Sequence, residues 1–349
     1  MNRAFWRGKR AFVTGHTGFK GTWLCAWLID AGARVTGFAL EPDESSPFCD
    51  CGLGADIVST IADIRDAPAL RKALDEASPD IVIHLAAQSL VRLSYEQPAR
   101  TFSVNTVGTA NLLDALRSSR SVRAAVIVTS DKCYAVSDPS RRHVEEDPLG
   151  GDDPYSASKA GAEIVAAAYR SAFFGGERIA TARAGNVVGG GDAARDRLVP
   201  DMLRAFDGGH PAQIRRPDDI RPWQHALDPI AGYLRLAEML FADPASFAQP
   251  WNFGPGSDHE VPVHAVADAV ATAWGDGASW RRDDGAHVPE RGVLRLDSTK
   301  ATRLLDWCGR IPLDDAIRWT VEWHRDHAAG KPTRDLISRD IARYEALKS

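Results

Sequence analysis

Disulfide chemistry is the first thing this chain of 349 residues lacks. Its five cysteines, Cys25, Cys49, Cys51, Cys133 and Cys308, are odd in number and irregular in spacing, which is no disulfide framework. Cys49-Asp50-Cys51 reads as half of a metal site with no second pair of ligands, so free thiols and no metal are the expectation. No apolar run approaches the roughly 18 residues that a membrane span needs. Lys and Arg form no block, and the net charge is −5, which argues against a nucleic-acid or membrane-surface protein. Residues 1–10 carry charge where a secretory leader has an apolar stretch. Internal repeats and low-complexity tracts are absent too. What remains is ordinary globular composition, 44% hydrophobic and 26% charged, and the expectation of a cytoplasmic protein.

Short β-branched runs alternate with longer helical patterns through the first half. Residues 10–14 (RAFVT), 34–39 (RVTGFA), 57–62, 81–85 (IVIHL), 124–129 (AAVIVT) and 179–184 read as strands. Residues 23–31, 67–77, 105–117 and 155–173 read as the helices between them. The fifth strand is apolar on both faces, which places it in a sheet covered on both sides. This βαβ rhythm predicts an α/β fold with a doubly wound parallel sheet. After Gly185 the texture changes. Gly189-Gly190-Gly191 and Pro200, Pro211, Pro217, Pro222 and Pro229 predict short pieces, forming a smaller C-terminal lobe. Residues 251–254 read as one more strand and 317–327 as an amphipathic helix. The charged last residues read as extending outward. The domain expectation is therefore 1–185 plus a return at 222–256, with 186–221 and 257–349 as the lobe.

Thr14-Gly15-His16-Thr17-Gly18-Phe19-Lys20-Gly21 follows the first strand and opens the first helix. Gly15, Gly18 and Gly21 suit a tight turn, close approach of backbone to a pyrophosphate, and close helix–strand packing. The helix start offers unpaired N–H groups to phosphate. In this context the turn predicts a Rossmann dinucleotide site, with Thr17 and Phe19 beside the glycines. Glu41 lies slightly beyond the end of the second strand, where an acid holds a ribose, and no Arg stands there for a 2′-phosphate. NAD is thus favoured over NADP. Asp63-Ile64, after the third strand, suits the adenine amino group; alternatively, Asp63 caps the next helix.

Tyr155 and Lys159, at i and i+4, share one helix face. An ammonium beside a phenol lowers the phenol pKa toward neutrality, and the phenolate can then take a sugar hydroxyl proton. Thr129-Ser130-Asp131-Lys132 ends the fifth strand, at the edge of a parallel sheet that faces ligands. Ser130 suits a hydrogen bond to the same hydroxyl. A plain dehydrogenase or epimerase needs only Ser130, Tyr155 and Lys159. Asp131 and Lys132 add proton-transfer groups, which suggests loss of water. His84 reads as a satisfied core histidine, and Trp319 and Trp323 as packing.

With these residues assembled, the sequence resembles the extended short-chain dehydrogenase/reductase family, in its sugar-nucleotide dehydratase and epimerase branch. FWRGKRAFVTGHTGFKGTWL from Phe5, HLAAQSLVRLSYEQP from His84, TSDKCY from Thr129, DPYSASK from Asp153, RAGNVVGGGD from Arg183, DRLVPD from Asp196, RPWQH from Arg221 and WNFGP from Trp251 carry it. Asp131-Lys132 stands where dTDP-glucose dehydratases have Asp-Glu, which favours a CDP-hexose as the nucleotide-sugar substrate. The resemblance implies a 4,6-dehydratase with internally recycled NAD and a homodimer or dimer of dimers, with the helices from Asn105 and Tyr155 pairing. It implies that Leu85, Ala86, Ala87 and Thr129 line the cofactor site. Asn186, Arg197, Arg221 and Glu290 are implied to hold the sugar nucleotide. Asp131 is implied as the acid for the departing hydroxyl and Lys132 as the C5 base, or as enolate stabiliser if it stays charged. Two segments depart from the family: Asp192 is followed by Ala193 rather than Trp, and the usual His-Glu-Ala reads Val288-Pro289-Glu290-Arg291.

Overall fold

Neighbouring residues of the N-terminal strands send apolar side chains to opposite faces, so the sheet must be covered twice. A computed structural model, describing residues 1–135, 138, 140–285, 288 and 293–347, shows how. The main elements are β1 (Arg10–Thr14), α1 (Phe19–Asp30), β2 (Arg34–Ala39), β3 (Val58–Ile61), α2 (Ala67–Ala77), β4 (Ile81–His84), α3 (Gly108–Ser118), β5 (Ala124–Val128), α4 (Pro154–Phe173), β6 (Ile179–Ala184), β7 (Asn186–Val188), α5 (Leu198–Asp207), β8 (Ala212–Ile214), β9 (Ile220–His225), α6 (Leu227–Ala242), β10 (Pro250–Phe253), β11 (Glu260–Pro262), α7 (Val263–Trp274), β12 (Trp280–Arg282), α8 (Leu313–Ala328) and α9 (Thr333–Ala346). Seven of the strands form one parallel sheet in the order β10-β6-β5-β4-β1-β2-β3. This is the doubly wound Rossmann sheet the sequence predicts. Its order reverses between β1 and β4, and there the loops leaving the carboxyl ends part to open a crevice.

Phe12, Phe38, Val82, Ala125 and Ile127 meet Leu70 and Leu74 of α2 and Leu112, Leu113 and Leu116 of α3. Their neighbours Ala11, Val13, Ile83, Val126 and Val128 belong to the opposite face, with Trp23, Leu24 and Trp27 of α1 and Ile230 and Leu234 of α6. Each fully buried side chain of this size contributes about 1.5–3 kcal/mol. Helices of eleven residues, such as α2 and α3, are therefore held by the sheet more than by their own propensity.

Three sequence expectations are corrected. The proline-rich half is not short pieces: Pro200 and Pro229 lie in the first turns of α5 and α6, where no intrahelical N–H bond is lost. The last described residues do not extend outward. α9 lies against α1, where Trp27 stacks edge-on to Tyr344 at 5.4 Å and donates its indole N–H to Glu345 Oε1 at 2.9 Å. The helix expected from Asn105 begins earlier, running through Pro98–Phe102 and a wider turn at Ser103–Val107 into α3. Two smaller sheets, β11-β9-β7 and β12-β8, are separate from it, and β7 follows directly from the carboxyl end of β6.

Candidate active site

An open cleft of about 1410 Å³ runs across the carboxyl ends of β1, β4 and β5. The glycine turn forms one end. Gly15 has φ +74°, and a Cβ there would lie 2.7 Å from the Ala86 backbone nitrogen. A Cβ on Gly21 would lie 2.1 Å from the Gly15 carbonyl oxygen. Gly18 caps α1 with no side chain across the helix start, so that end faces the cleft bare. Thr17 and Phe19 line the same end, and Leu85, Ala86 and Ala87 line the opposite wall. A turn that admits no methyl group at Gly15 or Gly21, at a bare helix start, fits a dinucleotide pyrophosphate.

Asp63 and Ile64 also line the cleft. The capping alternative for Asp63 fails: the α2 cap is Asp66, which accepts from the Ala69 N–H at 3.0 Å. Asp63 instead pairs with Arg65 at 2.6 Å. Thr129 is at the strand end as expected, but its hydroxyl is given to Glu163 beneath the cleft floor. His84 is a satisfied core histidine, its ring nitrogens 2.6 and 3.1 Å from Thr14 and Thr109 hydroxyls.

Asp153 starts α4 by accepting from the Ser156 N–H at 2.9 Å, which fixes the phase of the helix and aims Tyr155 and Lys159 at the cleft. Ser130, Asp131 and Lys132 approach from the end of β5. Ser130 Oγ donates to Asp131 Oδ1 at 2.9 Å and also engages the Tyr155 phenol. Burial pushes Tyr155 up to about 12, against the pull of Ser130 and Arg197. This differs from the sequence expectation of a phenol already near neutrality. Lys159 Nζ lies 3.4 Å from the Val128 carbonyl, and burial lowers its pKa to about 8 against the pull of Glu163. Burial also raises the Asp131 carboxyl, opposed by Lys132, Ser130 and Arg221. Among the described residues Asp131 Oδ2 has no hydrogen-bond partner, although it is buried.

Asn186, Arg197 and Arg221 line the far end. Arg197 is held 2.9 Å from Asp192 and Arg221 3.0 Å from Asp219. Glu290 lies outside the described residues. Sequence reasoning missed two other features of the cleft. Arg92 and Arg215 both grip Asp196, at 2.9 and 2.7 Å. Lys20, inside the glycine turn, has its pKa lowered to about 8 by burial and then by Arg197 and Lys159. A charged residue between two of the motif's glycines was its only sequence signal.

Residues 11–248 match the NAD dependent epimerase/dehydratase family. The chain belongs to that family. Among curated members it is 45% identical to the CDP-glucose 4,6-dehydratase of Salmonella typhimurium, over 99% of this chain and 98% of that one. It is 30% identical to the UDP-glucose 4-epimerase of Mycolicibacterium smegmatis, over 91% and 99% of the two chains. Among solved structures, the dTDP-glucose 4,6-dehydratase DesIV of Streptomyces venezuelae, with NAD and TYD bound, superposes with a TM-score of 0.81 at 23% identity. That match covers 92% of this chain and 98% of the other. NAD is the cofactor of the family, and the cradle at Gly15, Gly18 and Gly21 fits it.

Proposed function

We infer that the chain is an NAD-dependent CDP-glucose 4,6-dehydratase, converting CDP-D-glucose to CDP-4-keto-6-deoxy-D-glucose and water. The full-length likeness to a curated enzyme of that activity supports the substrate. The observation that carries the reaction type is the Asp131 carboxyl: buried, raised, and with one oxygen unpartnered beside Ser130. An epimerase has no use for such a proton donor, whereas departure of the sugar C6 hydroxyl requires one.

NAD held at the Gly15, Gly18 and Gly21 turn would supply a hydride acceptor that is regenerated within one turnover, so no second substrate would be consumed. Tyr155 takes the proton of the C4 hydroxyl, with Ser130 donating or accepting beside it. Lys159 holds positive charge under the phenol. Asp131 gives its proton to the leaving C6 hydroxyl, and Lys132, next to it, acts on the C5 proton. Arg197 and Arg221 exchange their carboxylate partners for phosphate oxygens, a geometry guanidinium suits. Asn186 completes the sugar-nucleotide end, within a lobe formed by 186–221 and 257–349. A homodimer forms through α4 and the Ser103–Val107 turn, where Ile164 and Val107 are 57% and 51% exposed. The deciding experiment offers CDP-, dTDP-, UDP- and GDP-glucose to the purified protein and reads the alkaline absorbance of a keto sugar. Product from CDP-glucose is expected; product from another nucleotide sugar alone would refute the assignment.

A further inference from the structure

One buried carboxylate is used by nothing above. Glu163 lies on α4 two turns beyond Tyr155 and one beyond Lys159, on the same face, and does not line the cleft. It is 3% exposed. Thr129 at the end of β5 donates its hydroxyl to Glu163 Oε1. Thr181 of β6 donates to Oε2 at 2.7 Å, and Arg183 of β6 donates to the same oxygen at 2.8 Å. Arg183 in turn donates to the Tyr134 phenol at 2.8 Å and to the Glu145 carbonyl at 3.0 Å. One carboxylate thus joins three pieces of chain: the helix bearing Tyr155 and Lys159, the strand end leading to Ser130, Asp131 and Lys132, and the neighbouring strand that buttresses the turn after them.

We propose that Glu163 is a positioning residue of the dehydratase site, holding Lys159 as an ammonium and locking α4 in register with the carboxyl ends of β5 and β6. This rests on the reading of Tyr155 and Lys159 given above. Stabilisation of the hydrogen-bonded network alone would need only a neutral acceptor. Two features call for its charge. Lys159 is buried, which favours loss of its proton, and Glu163 is the largest influence opposing that loss. The groups around the pair are few. Arg183 and Arg170 face Glu163 from β6 and α4, and the Cys133 thiol faces it from the turn after β5. Lys159 additionally meets His84 of β4 and Lys20 of α1. Burial works against a charged Lys159; Glu163 and, after it, Cys133 oppose that, so the ammonium depends first on the Glu163 carboxylate.

The test is the pH profile of kcat with CDP-glucose. Glu163→Gln removes the charge, leaves Arg183 uncompensated, and is expected to move the alkaline limb to lower pH by roughly half a unit or more. KM for CDP-glucose should change little, since Glu163 is outside the cleft. Glu163→Asp keeps the charge with a shorter reach and should restore most of the profile. Thr181→Val removes one hydrogen bond but keeps the carboxylate, so its limb should stay in place. An unmoved limb in Glu163→Gln, or an equal shift in Thr181→Val, overturns the proposal. If Glu163→Gln does not fold, Glu163→Ser, which also removes the charge, is read in its place: a limb moved to lower pH supports the proposal and an unmoved limb overturns it. Tyr155→Phe in the same assay separates the two readings. A dead Tyr155→Phe with an unmoved limb removes Glu163 alone; surviving turnover in Tyr155→Phe removes the site assignment and Glu163 with it.

Discussion

Tyr155 carries its proton in the resting protein because burial outweighs the Ser130 hydrogen bond. Its service as a base therefore depends on positive charge around it, and Lys159 is the nearest source on its own helix. Lys159 titrates at about 8, so turnover should fall as pH rises through that value and the ammonium is lost. A rate profile flat from pH 7 to 10 would refute this. Tyr155→Phe keeps the packing of the ring and loses the acid–base oxygen. It should lower kcat by about 10²–10⁴-fold while circular dichroism stays unchanged. Asp131→Asn cannot deliver a proton. In a single turnover it should form reduced nicotinamide at close to the normal rate, then release keto-deoxy product about 10²-fold more slowly. Simultaneous loss of both signals would place Asp131 elsewhere in the sequence of steps.

The glycine turn shows at the level of the element how tightly α1 must meet β1. Gly21→Ala puts a methyl group 2.1 Å from the Gly15 carbonyl oxygen, a backbone atom that cannot step aside. The variant should bind NAD at least about ten-fold more weakly, as read by fluorescence titration, or lose its cooperative melt. This turn was legible in sequence because the spacing of its glycines is local, and so were the strands, whose apolar runs need no partner to be recognised. Tyr155, Lys159, Ser130 and Asp131, which all line the cleft, were legible as candidates for the same reason. What stayed hidden is non-local. Thr129 lines the cleft as expected, but that its hydroxyl is spent on Glu163, a residue 34 positions on, has no local signal. α5 and α6 were masked by Pro200 and Pro229, because a proline in a first turn looks like one that breaks a helix until the boundary is seen. α9 lacks a strong apolar stripe and is fixed instead by Tyr344 and Glu345 meeting Trp27 from the other end of the chain.

For the molecule as a whole, stability and assembly each have a single residue to watch. Asp228 is fully buried at the start of α6, where its Oδ1 accepts from the Arg310 N–H at 2.8 Å. Burial raises its pKa from 3.8 to about 7. The folded state thus holds this proton more tightly than the unfolded chain, and the contribution is full below about pH 4 and lost as pH rises through about 7. Asp228→Asn keeps the acceptor and discards the titration. Its Tm should fall less than that of the parent protein between pH 5 and 8, and parallel curves would show that Asp228 does not titrate there. Ile164→Glu places a charge on the exposed face of α4. Light scattering should then report the mass of one chain where the parent gives two or four.

β10 and α6 join the sheet late in the chain. The edge strand beside β6 comes from residues 250–253, and α6, which covers β5 on one face, from 227–242. During synthesis the first six strands leave the ribosome before either exists. Until some seventy more residues emerge, that half-built sheet presents an open hydrogen-bonding edge and a bare apolar face to the cell. A gene fragment ending near residue 185 should accordingly be a substrate for chaperones and proteases rather than a free-standing dinucleotide binder.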